Sequence, residues 1–342
     1  MRWLPVAIGL LLALPAHGAP ALSFPDWLAE YRAGAEARGL DPRWLDRALA
    51  GLSPQPRVIA LDRAQPDTPG RAIFSDYLAR QLSPDRIASG RARLAERGHL
   101  LSRLERTHGV PGEILVAIWG METSYGQVMG GFDVLSALAT LAWDGRRTAL
   151  FTRELDAAVR MVGEGLVSRA RFRGSWAGAF GHSQFLPSSY LRYAIDGDGD
   201  GRADILESPA DALASIANYL KQKGWAPGVG WGLQVLPPPG FDPATVASAD
   251  EPESCVRPLK AHSRFLPARA WRAMGFTAPG GAWPPDAVEL SLVQPDGPGT
   301  AAFLTTRNYR ALLAYNCSNF YALSVALLAD ALRAPHPAPD GA

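Results

Sequence analysis

The chain of 342 residues is long enough for one large or two modest domains. Its hydrophobic content of 47% and charged content of 20% are ordinary for a globular protein, so a disordered chain is not expected. The formal net charge of +1, with no cluster of lysines and arginines among aromatic residues, argues against nucleic acid and other polyanions as partners.

Residues 1–18 have the pattern of a secretory signal peptide. A basic residue precedes an apolar run, and Ala16 and Gly18 are small residues suited to cleavage after Gly18. The alternative is a membrane anchor, but the run is short for a bilayer and is interrupted by Pro5 and Pro15. No later stretch is long enough to span a bilayer. We therefore predict a soluble periplasmic protein without a membrane span after cleavage, and we expect a monomer.

Helical patterns dominate the region that follows the signal. Asp26 is predicted to cap a helix that begins at Trp27, and Asp41 is predicted to cap the next helix. Residues 53–70 hold four prolines and are predicted to form an irregular connection. Residues 83–108 are predicted to form one longer helical stretch.

The stretch 114–125, ILVAIWGMETSY, places one carboxylate where the apolar spacing predicts a buried side chain. Ile114 and Ile118 precede Glu122 at helical spacing, so the acid continues their stripe. Between Ile114 and Phe132 there is no other acidic or basic residue, so burial should raise the pKa of Glu122. A raised pKa suits a general acid. The alternative is a glutamate at a helix end that faces solvent or pairs with an arginine.

A turn-rich aromatic segment follows the helix predicted over 148–163. In residues 174–193, GSWAGAFGHSQFLPSSYLRY, glycines and serines alternate with five aromatic residues. Sugar rings stack on aromatic faces, and Ser175, Ser183 and Gln184 could hydrogen-bond to sugar hydroxyls. The segment is therefore a candidate carbohydrate-binding surface, and the alternative is a segment that packs in the core.

Residues 196–207, DGDGDGRADILE, match the calcium-loop pattern, with carboxylates at positions 1, 3, 5, 9 and 12 and glycine at position 6. Hard cations need several oxygen atoms that converge on one point, and this spacing supplies them. Asp211 could close the loop in place of Glu207. It has a structural explanation as well, because it follows Ser208 and Pro209 in a helix-capping arrangement. A solvated acidic turn is the alternative. The predicted ligands are the carboxylates of Asp196, Asp198 and Asp200, the carbonyl of Arg202, and either Glu207 or Asp211 as the last ligand.

Helical spacing disappears in residues 237–298, which hold 12 of the 29 prolines. A strand over 288–293, a turn over 295–299 and a second strand over 301–306 predict a β-hairpin. These patterns indicate a small β-containing subdomain, which we place at 233–307.

Two cysteines, Cys255 and Cys317, are present in the chain. Export to an oxidising compartment makes one disulfide between them plausible, and two unrelated buried thiols are the alternative. Residues 308–333 return to helical spacing, and the tail 334–342 is predicted to be disordered.

Five segments stand out in a fixed order along the chain. They are GMETSYG at 120–126, GSWAGAFGHSQFLPSSY at 174–190, the aspartate loop, ALASIANYLKQKGW at 212–225 and YNCSNFYALSV at 315–325. Together they resemble the lytic murein transglycosylase B family over roughly residues 24–333. The resemblance implies a mainly helical α+β fold with a lysozyme-like core, an added helical subdomain, the small β-containing subdomain and an EF-hand-like calcium loop at 196–211. It places the lysozyme-like region at 19–232 and the helices that complete the core at 308–333.

The resemblance implies an enzyme that cleaves the β-1,4 bond between MurNAc and GlcNAc in peptidoglycan and leaves 1,6-anhydro-MurNAc ends. By the same resemblance Glu122 is the sole catalytic acid and base, calcium is structural, and catalysis needs no cofactor. The tyrosines on predicted helices could instead be core residues. Positions that match the sugar groove of the family are Ser175, Gln184, Tyr219, Tyr315, Asn316, Tyr321 and Tyr77.

One feature of the residues agrees with a single-acid mechanism. Hydrolytic glycosidases usually carry two carboxylates that flank the bond, whereas 114–132 and 174–195 contain no acid besides Glu122. A distant carboxylate such as Asp133 or Asp144 could still fold into the site. The alternative functions are a peptidoglycan hydrolase (muramidase), which differs in its product, and a non-catalytic murein-binding protein, against which Glu122 argues.

Overall fold

The computed structural model describes residues 22–65 and 73–333. The predicted signal peptide, the tail at 334–342 for which disorder is predicted, and part of the proline-rich connection lie outside these residues. Within them the chain is mostly helical, with one two-stranded and one four-stranded antiparallel sheet.

The helices and strands are numbered here in chain order. The helices are α1 (Phe24–Ala37), α2 (Pro42–Leu49), α3 (Pro56–Arg63), α4 (Phe74–Gln81), α5 (Pro84–Glu96), α6 (Gly98–His108), α7 (Gly112–Thr123), α8 (Val134–Asp144), α9 (Thr148–Gly163), α10 (Pro187–Tyr193), α11 (Pro209–Gln222), α12 (Val256–Lys260), α13 (Ala268–Ala273), α14 (Asn308–Tyr315) and α15 (Asn319–Arg333). The strands are β1 (Phe132–Asp133), β2 (Arg173–Gly174), β3 (Gly232–Val235), β4 (Leu266–Pro267), β5 (Glu289–Val293) and β6 (Ala302–Thr305), and a short 3-10 helix covers Pro243–Val246.

One predicted helix start is wrong, and one predicted helical stretch is interrupted. The first helix begins at Phe24 and not at Trp27, because the Ser23 hydroxyl, rather than Asp26, caps it by accepting the Asp26 amide. The stretch 83–108 forms two helices, α5 and α6, because the chain leaves helical geometry at Arg97, next to a glycine of low helix propensity.

Helix α7 lies at the centre of the main hydrophobic core, packed against α5, α6, α11 and α15. It ends in two non-glycine residues with left-handed backbones, Ser124 and Tyr125, whose φ angles are 50° and 61°. The Tyr125 ring and hydroxyl fill the space over Gly120 and Gly90, where a Cβ would lie 2.6 Å and 2.5 Å from them. The Tyr125 hydroxyl also donates to the Arg86 carbonyl at 2.8 Å, so the end of α7 is held firmly despite its unfavourable backbone.

The region after α11 contains a second, smaller hydrophobic core. Its four-stranded sheet has the order β3-β6-β5-β4, and Leu292 on β5 pairs with Leu304 on β6. This pairing confirms the hairpin predicted from the alternation of the two strands. Val235, Trp271 and Phe276 fill the core on one face of the sheet together with the strand leucines.

Among the described residues, no single helix has the length and hydropathy needed to cross a membrane. Helices α14 and α15 meet these criteria as a pair, but a sharp bend of 120° separates them.

Candidate active site

Glu122 lies in the last turn of α7, half-buried beside the first turn of α15. The Tyr321 hydroxyl donates a hydrogen bond to Glu122 Oε1 at 2.5 Å. Burial raises the pKa of the Glu122 carboxyl to about 7, and the hydrogen bond from Tyr321 lowers it by a smaller amount. The carboxyl is therefore inward-facing with a raised pKa, as the apolar stripe predicts.

Four tyrosines predicted to line the groove come from four helices, α4, α11, α14 and α15. Burial, and after it the charge of Glu122, raises the pKa values of Tyr77, Tyr315 and Tyr321, so all three lie close enough to sense this carboxylate. The fold thus brings Tyr321 to Glu122 although 199 positions separate them in the chain.

Tyr219 has a strong packing role. Its ring lies 4.6 Å from that of Tyr193 and 5.0 Å from that of Tyr315, and its hydroxyl donates to the Ala314 carbonyl at 2.5 Å. The Tyr315 hydroxyl in turn donates to the Ser183 carbonyl at 2.6 Å. These bonds join the end of α14 to the aromatic segment. Phe185 packs against Tyr219 and Tyr315, as expected of a core side chain.

The polar residues of the aromatic segment support its turns. The Ser175 hydroxyl accepts the Ala179 amide at 3.1 Å. Gln184, at a φ of 47°, uses its amide nitrogen to donate to the carbonyls of Met129 at 3.2 Å and Gly181 at 2.9 Å. Its Oε1 has no partner among the described residues and remains available to a ligand. Asn316 follows α14, with its side chain exposed.

Sequence reasoning missed the residues that join α7 to the aromatic segment. The Thr123 hydroxyl donates to the His182 carbonyl at 3.2 Å, and the Trp119 indole donates to His182 Nδ1 at 3.1 Å. The Ser183 hydroxyl is buried, with no partner in the part of the chain that the structure describes. The adjacency of Thr123 to Glu122 was the only signal that could have indicated this connection.

The distant carboxylates considered from the sequence are engaged elsewhere. Asp133 accepts the Ser136 amide at the start of α8 and pairs with Arg169, and Asp144 pairs with Arg63 at 2.6 Å. Within the described residues, no second carboxylate affects the pKa of Glu122.

The aspartate loop brings three of its predicted ligands together. Carboxylate oxygens of Asp196, Asp198 and Asp211 lie within 4.8 Å of one another. Asp211 is buried and accepts the backbone amides of Gly197 at 2.8 Å and Asp204 at 2.7 Å. An all-oxygen set of this kind suits Ca²⁺.

The other two predicted carboxylate ligands, Asp200 and Glu207, lie outside this group. Glu207 is exposed and pairs with Arg171 at 2.5 Å, so the geometry favours Asp211 over Glu207 as the last ligand. Asp200 accepts the Arg202 amide at 2.8 Å, and both residues are exposed at the tip of the loop.

The raised pKa of Glu122 predicts a pH dependence of stability. The ordinary pKa of a glutamate is 4.5, so between pH 4.5 and about 7 the folded state holds a proton on Glu122 that the unfolded state has lost. The contribution of this proton to the free energy of unfolding is complete below pH 4.5 and is lost as the pH rises to about 7. After a discount for partial exposure, we expect a loss of about 2 kcal/mol. Urea unfolding of the parent and of Glu122→Gln at pH 5 and pH 8 measures it, and an equal pH dependence in both would contradict it.

Comparison with known proteins gives one consistent result. Membrane-bound lytic murein transglycosylase B of Escherichia coli (strain K12) is 40% identical over 153 residues, a match that covers 44% of this chain and 42% of that relative. The structure of SltB3 from Pseudomonas aeruginosa in complex with NAG-anhNAM-pentapeptide is 41% identical, with a TM-score of 0.81 over 91% of this chain and 80% of that one.

A second solved structure and a family model extend this similarity. The Escherichia coli lytic transglycosylase Slt35 in complex with calcium is 28% identical, with a TM-score of 0.72 over 89% of this chain and 92% of that one. The mostly helical fold is therefore the lysozyme-like lytic transglycosylase fold. The family model described as the transglycosylase SLT domain matches residues 23–330. With nearly its whole length matched, the chain belongs to the transglycosylase SLT domain family.

Proposed function

We propose that this protein is a lytic transglycosylase that cleaves the β-1,4 bond between MurNAc and GlcNAc in peptidoglycan and forms 1,6-anhydro-MurNAc ends. The observation that carries the proposal is Glu122, a half-buried acid with a pKa of about 7 and, among the described residues, no second carboxylate that affects it. The similarity to SltB3, solved with a NAG-anhNAM-pentapeptide, supports this substrate class.

In the proposed reaction Glu122 moves one proton in each of two steps. The protonated carboxyl donates to the glycosidic oxygen, the bond from that oxygen to C1 of MurNAc breaks, and positive charge develops at C1. The ionised carboxylate then takes the proton of the C6 hydroxyl of the same sugar while the C6 oxygen bonds to C1. A pKa near 7 suits both roles, and the hydrogen bond from Tyr321 stabilises the ionised form between them.

The intramolecular step accounts for a site in which the described residues place no second acid beside Glu122. A tethered C6 hydroxyl has an effective concentration that bulk water cannot reach, provided the groove holds C6 towards C1. We assign the groove to the residues that surround Glu122 and the aromatic segment. They are Ser175, Gln184, Tyr219, Tyr315, Asn316, Tyr321 and Tyr77, with Gln184 Oε1 and the Asn316 amide as the polar groups directed to sugar and Tyr219 as support.

Mass spectrometry of digested peptidoglycan tests the function. We expect products that are one water lighter than hydrolysed fragments, because the C6 oxygen replaces water at C1. Reducing MurNAc ends as the main product would instead establish a muramidase. Glycan binding without any cleavage would establish a murein-binding protein.

The setting of the enzyme forms part of the same proposal. We propose export to the periplasm by cleavage after Gly18, where peptidoglycan is accessible, and action as a monomer. The proposed organisation is a transglycosylase region over 19–232, the β-containing subdomain over 233–307 and closing helices over 308–333. The two hydrophobic cores support a division of this kind.

We further propose that the aspartate loop binds a structural Ca²⁺ through Asp196, Asp198 and Asp211, with the Arg202 carbonyl as a further ligand. The similarity to Slt35, solved with calcium, supports this ion. The loop lies in the chain between the aromatic segment and α11, so bound calcium would fix Gln184 relative to Tyr219.

Calcium is expected to stabilise the protein by about 2.7 kcal/mol at a concentration of 100 Kd. Thermal unfolding with excess calcium and with chelator measures this, and Asp196→Asn should remove most of the difference. Glu207→Gln is the matched control and should retain it, because Glu207 pairs with Arg171. An unchanged melting temperature in the parent would refute the site.

A further inference from the structure

The corner between α14 and α15 is attached to the β-containing subdomain at two places. The helices turn by 120° at this corner. Cys317 forms a disulfide with Cys255, directly before α12. Asn319, the first residue of α15, hydrogen-bonds to Pro258 in the middle of α12 and to His262, two residues beyond its end. Both attachments therefore come from the short segment 255–262.

The Asn319 side chain makes hydrogen bonds to three different residues. Its Nδ2 donates to the Pro258 carbonyl at 2.9 Å. Its Oδ1 accepts from the Tyr309 hydroxyl at 3.1 Å and lies 3.0 Å from His262 Nε2. One amide thus joins α12, α14 and His262, the second residue after α12, to the start of α15.

These bonds determine the protonation of the His262 ring. Because the Asn319 nitrogen faces a carbonyl, its oxygen must be the atom that faces His262, and so His262 Nε2 carries the proton. Burial lowers the pKa of His262 to about 3, so the ring is neutral near pH 7. The other ring nitrogen, Nδ1, lies 3.5 Å from the Ser291 hydroxyl oxygen. That hydroxyl donates its proton to the Ser263 carbonyl at 2.7 Å.

The first turn of α15, which begins at Asn319, carries Tyr321, the residue that hydrogen-bonds to Glu122. Tyr321 lies two positions after Asn319, and its amide donates to the Ser318 hydroxyl that caps the helix. Phe320, between them, packs against Phe74 and Tyr77 with ring centroids 5.4 Å and 5.7 Å apart. Because a hydrogen bond depends steeply on distance, a rotation of this turn that moves the Tyr321 hydroxyl by about 1 Å would break its bond to the carboxylate.

We propose that His262 and Asn319 are positioning residues, which hold the first turn of α15 so that Tyr321 donates its hydrogen bond to Glu122. Neither residue hydrogen-bonds to Glu122, and both act through Tyr321. The proposal rests on the proposed function only for its kinetic readout, since the hydrogen bond itself can be observed without turnover.

The ionisation of Glu122 reports on this arrangement. Among the described residues, the ionisable groups whose pKa values the charge of Glu122 raises are the hydroxyls of Tyr321 on α15, Tyr315 on α14 and Tyr77 on α4. Of these, Tyr321 hydrogen-bonds to the carboxylate and lowers its pKa. Loss of this bond should therefore raise the pKa of Glu122, and a hydrogen bond to a charged group corresponds to about one pH unit.

The experiment compares Asn319→Ala and His262→Phe with Tyr321→Phe as reference. Two measurements report the pKa of Glu122: the alkaline limb of kcat/KM, and the pH titration of the Glu122 carboxyl ¹³C resonance, which is assigned by its loss in Glu122→Gln. In both variants each apparent pKa should rise by about one pH unit, towards the value in Tyr321→Phe. His262→Gln keeps an N–H donor and should restore the parent values.

Asn308→Ala is the matched control. Asn308 is also an asparagine at a helix start and is buried, with hydrogen bonds to Ala226 and Val229, but it lies at the far end of α14. It should lose stability without a change in either titration. If folded Asn319→Ala and His262→Phe titrate like the parent, the positioning proposal is wrong. If neither the parent nor any variant cleaves peptidoglycan, the proposed function is wrong. The titration of the Glu122 ¹³C resonance needs no turnover, so it tests the positioning proposal in that case too.

Discussion

Glu122→Gln is expected to lower kcat by at least about 10³-fold while the protein still binds glycan. Glutamine keeps the shape of the side chain and can accept the Tyr321 hydrogen bond, but it can neither donate a proton to the leaving oxygen nor take one from the C6 hydroxyl. Because one group serves both steps, no second acid in the described site can substitute for it. Turnover of purified peptidoglycan and a separate glycan-binding assay measure the two effects.

Glu113→Gln is the matched control for this experiment. Glu113 lies on the same helix, in its first turn, and pairs with Arg333 at 3.3 Å, far from the Tyr321 contact. It should retain activity close to that of the parent. Near-normal turnover in Glu122→Gln would show that another group carries out the chemistry.

Removal of the Cys255–Cys317 disulfide is expected to lower the free energy of unfolding by about 4 kcal/mol in the chain-entropy model, because the bond closes a loop with a sequence separation of 62. The bond also holds the turn before α15, so activity should fall as well. Urea unfolding of a Cys255→Ala, Cys317→Ala double variant measures the stability, and peptidoglycan turnover measures the activity.

Reductant provides the control for the disulfide. Cys317 is exposed, so reduction of the parent should reproduce the loss of stability, whereas the double variant should not respond to reductant. A loss below about 1 kcal/mol would show that the disulfide contributes little beyond the packing of the two segments.

Local patterns in the sequence were sufficient for most of the elements. Helix α9 begins and ends where expected, because Thr148 and Gly163 coincide with changes in apolar spacing. The hairpin of β5 and β6 followed from alternation, and the raised pKa of Glu122 followed from its place in an apolar stripe. Helix boundaries at Phe24 and Arg97 were missed because single hydrogen bonds and backbone angles decide them.

The sequence by itself determined which residue types carry the chemistry: one acid in an apolar helix, an aspartate loop, two cysteines and a series of tyrosines. Only the tertiary structure decided which of them meet. Asp211 rather than Glu207 joins the aspartate group, because backbone amides hold the buried Asp211 carboxylate while Arg171 draws Glu207 away. Tyr321 reaches Glu122 across 199 positions because α15 packs on α7, and no local spacing encodes a contact made by packing between distant helices.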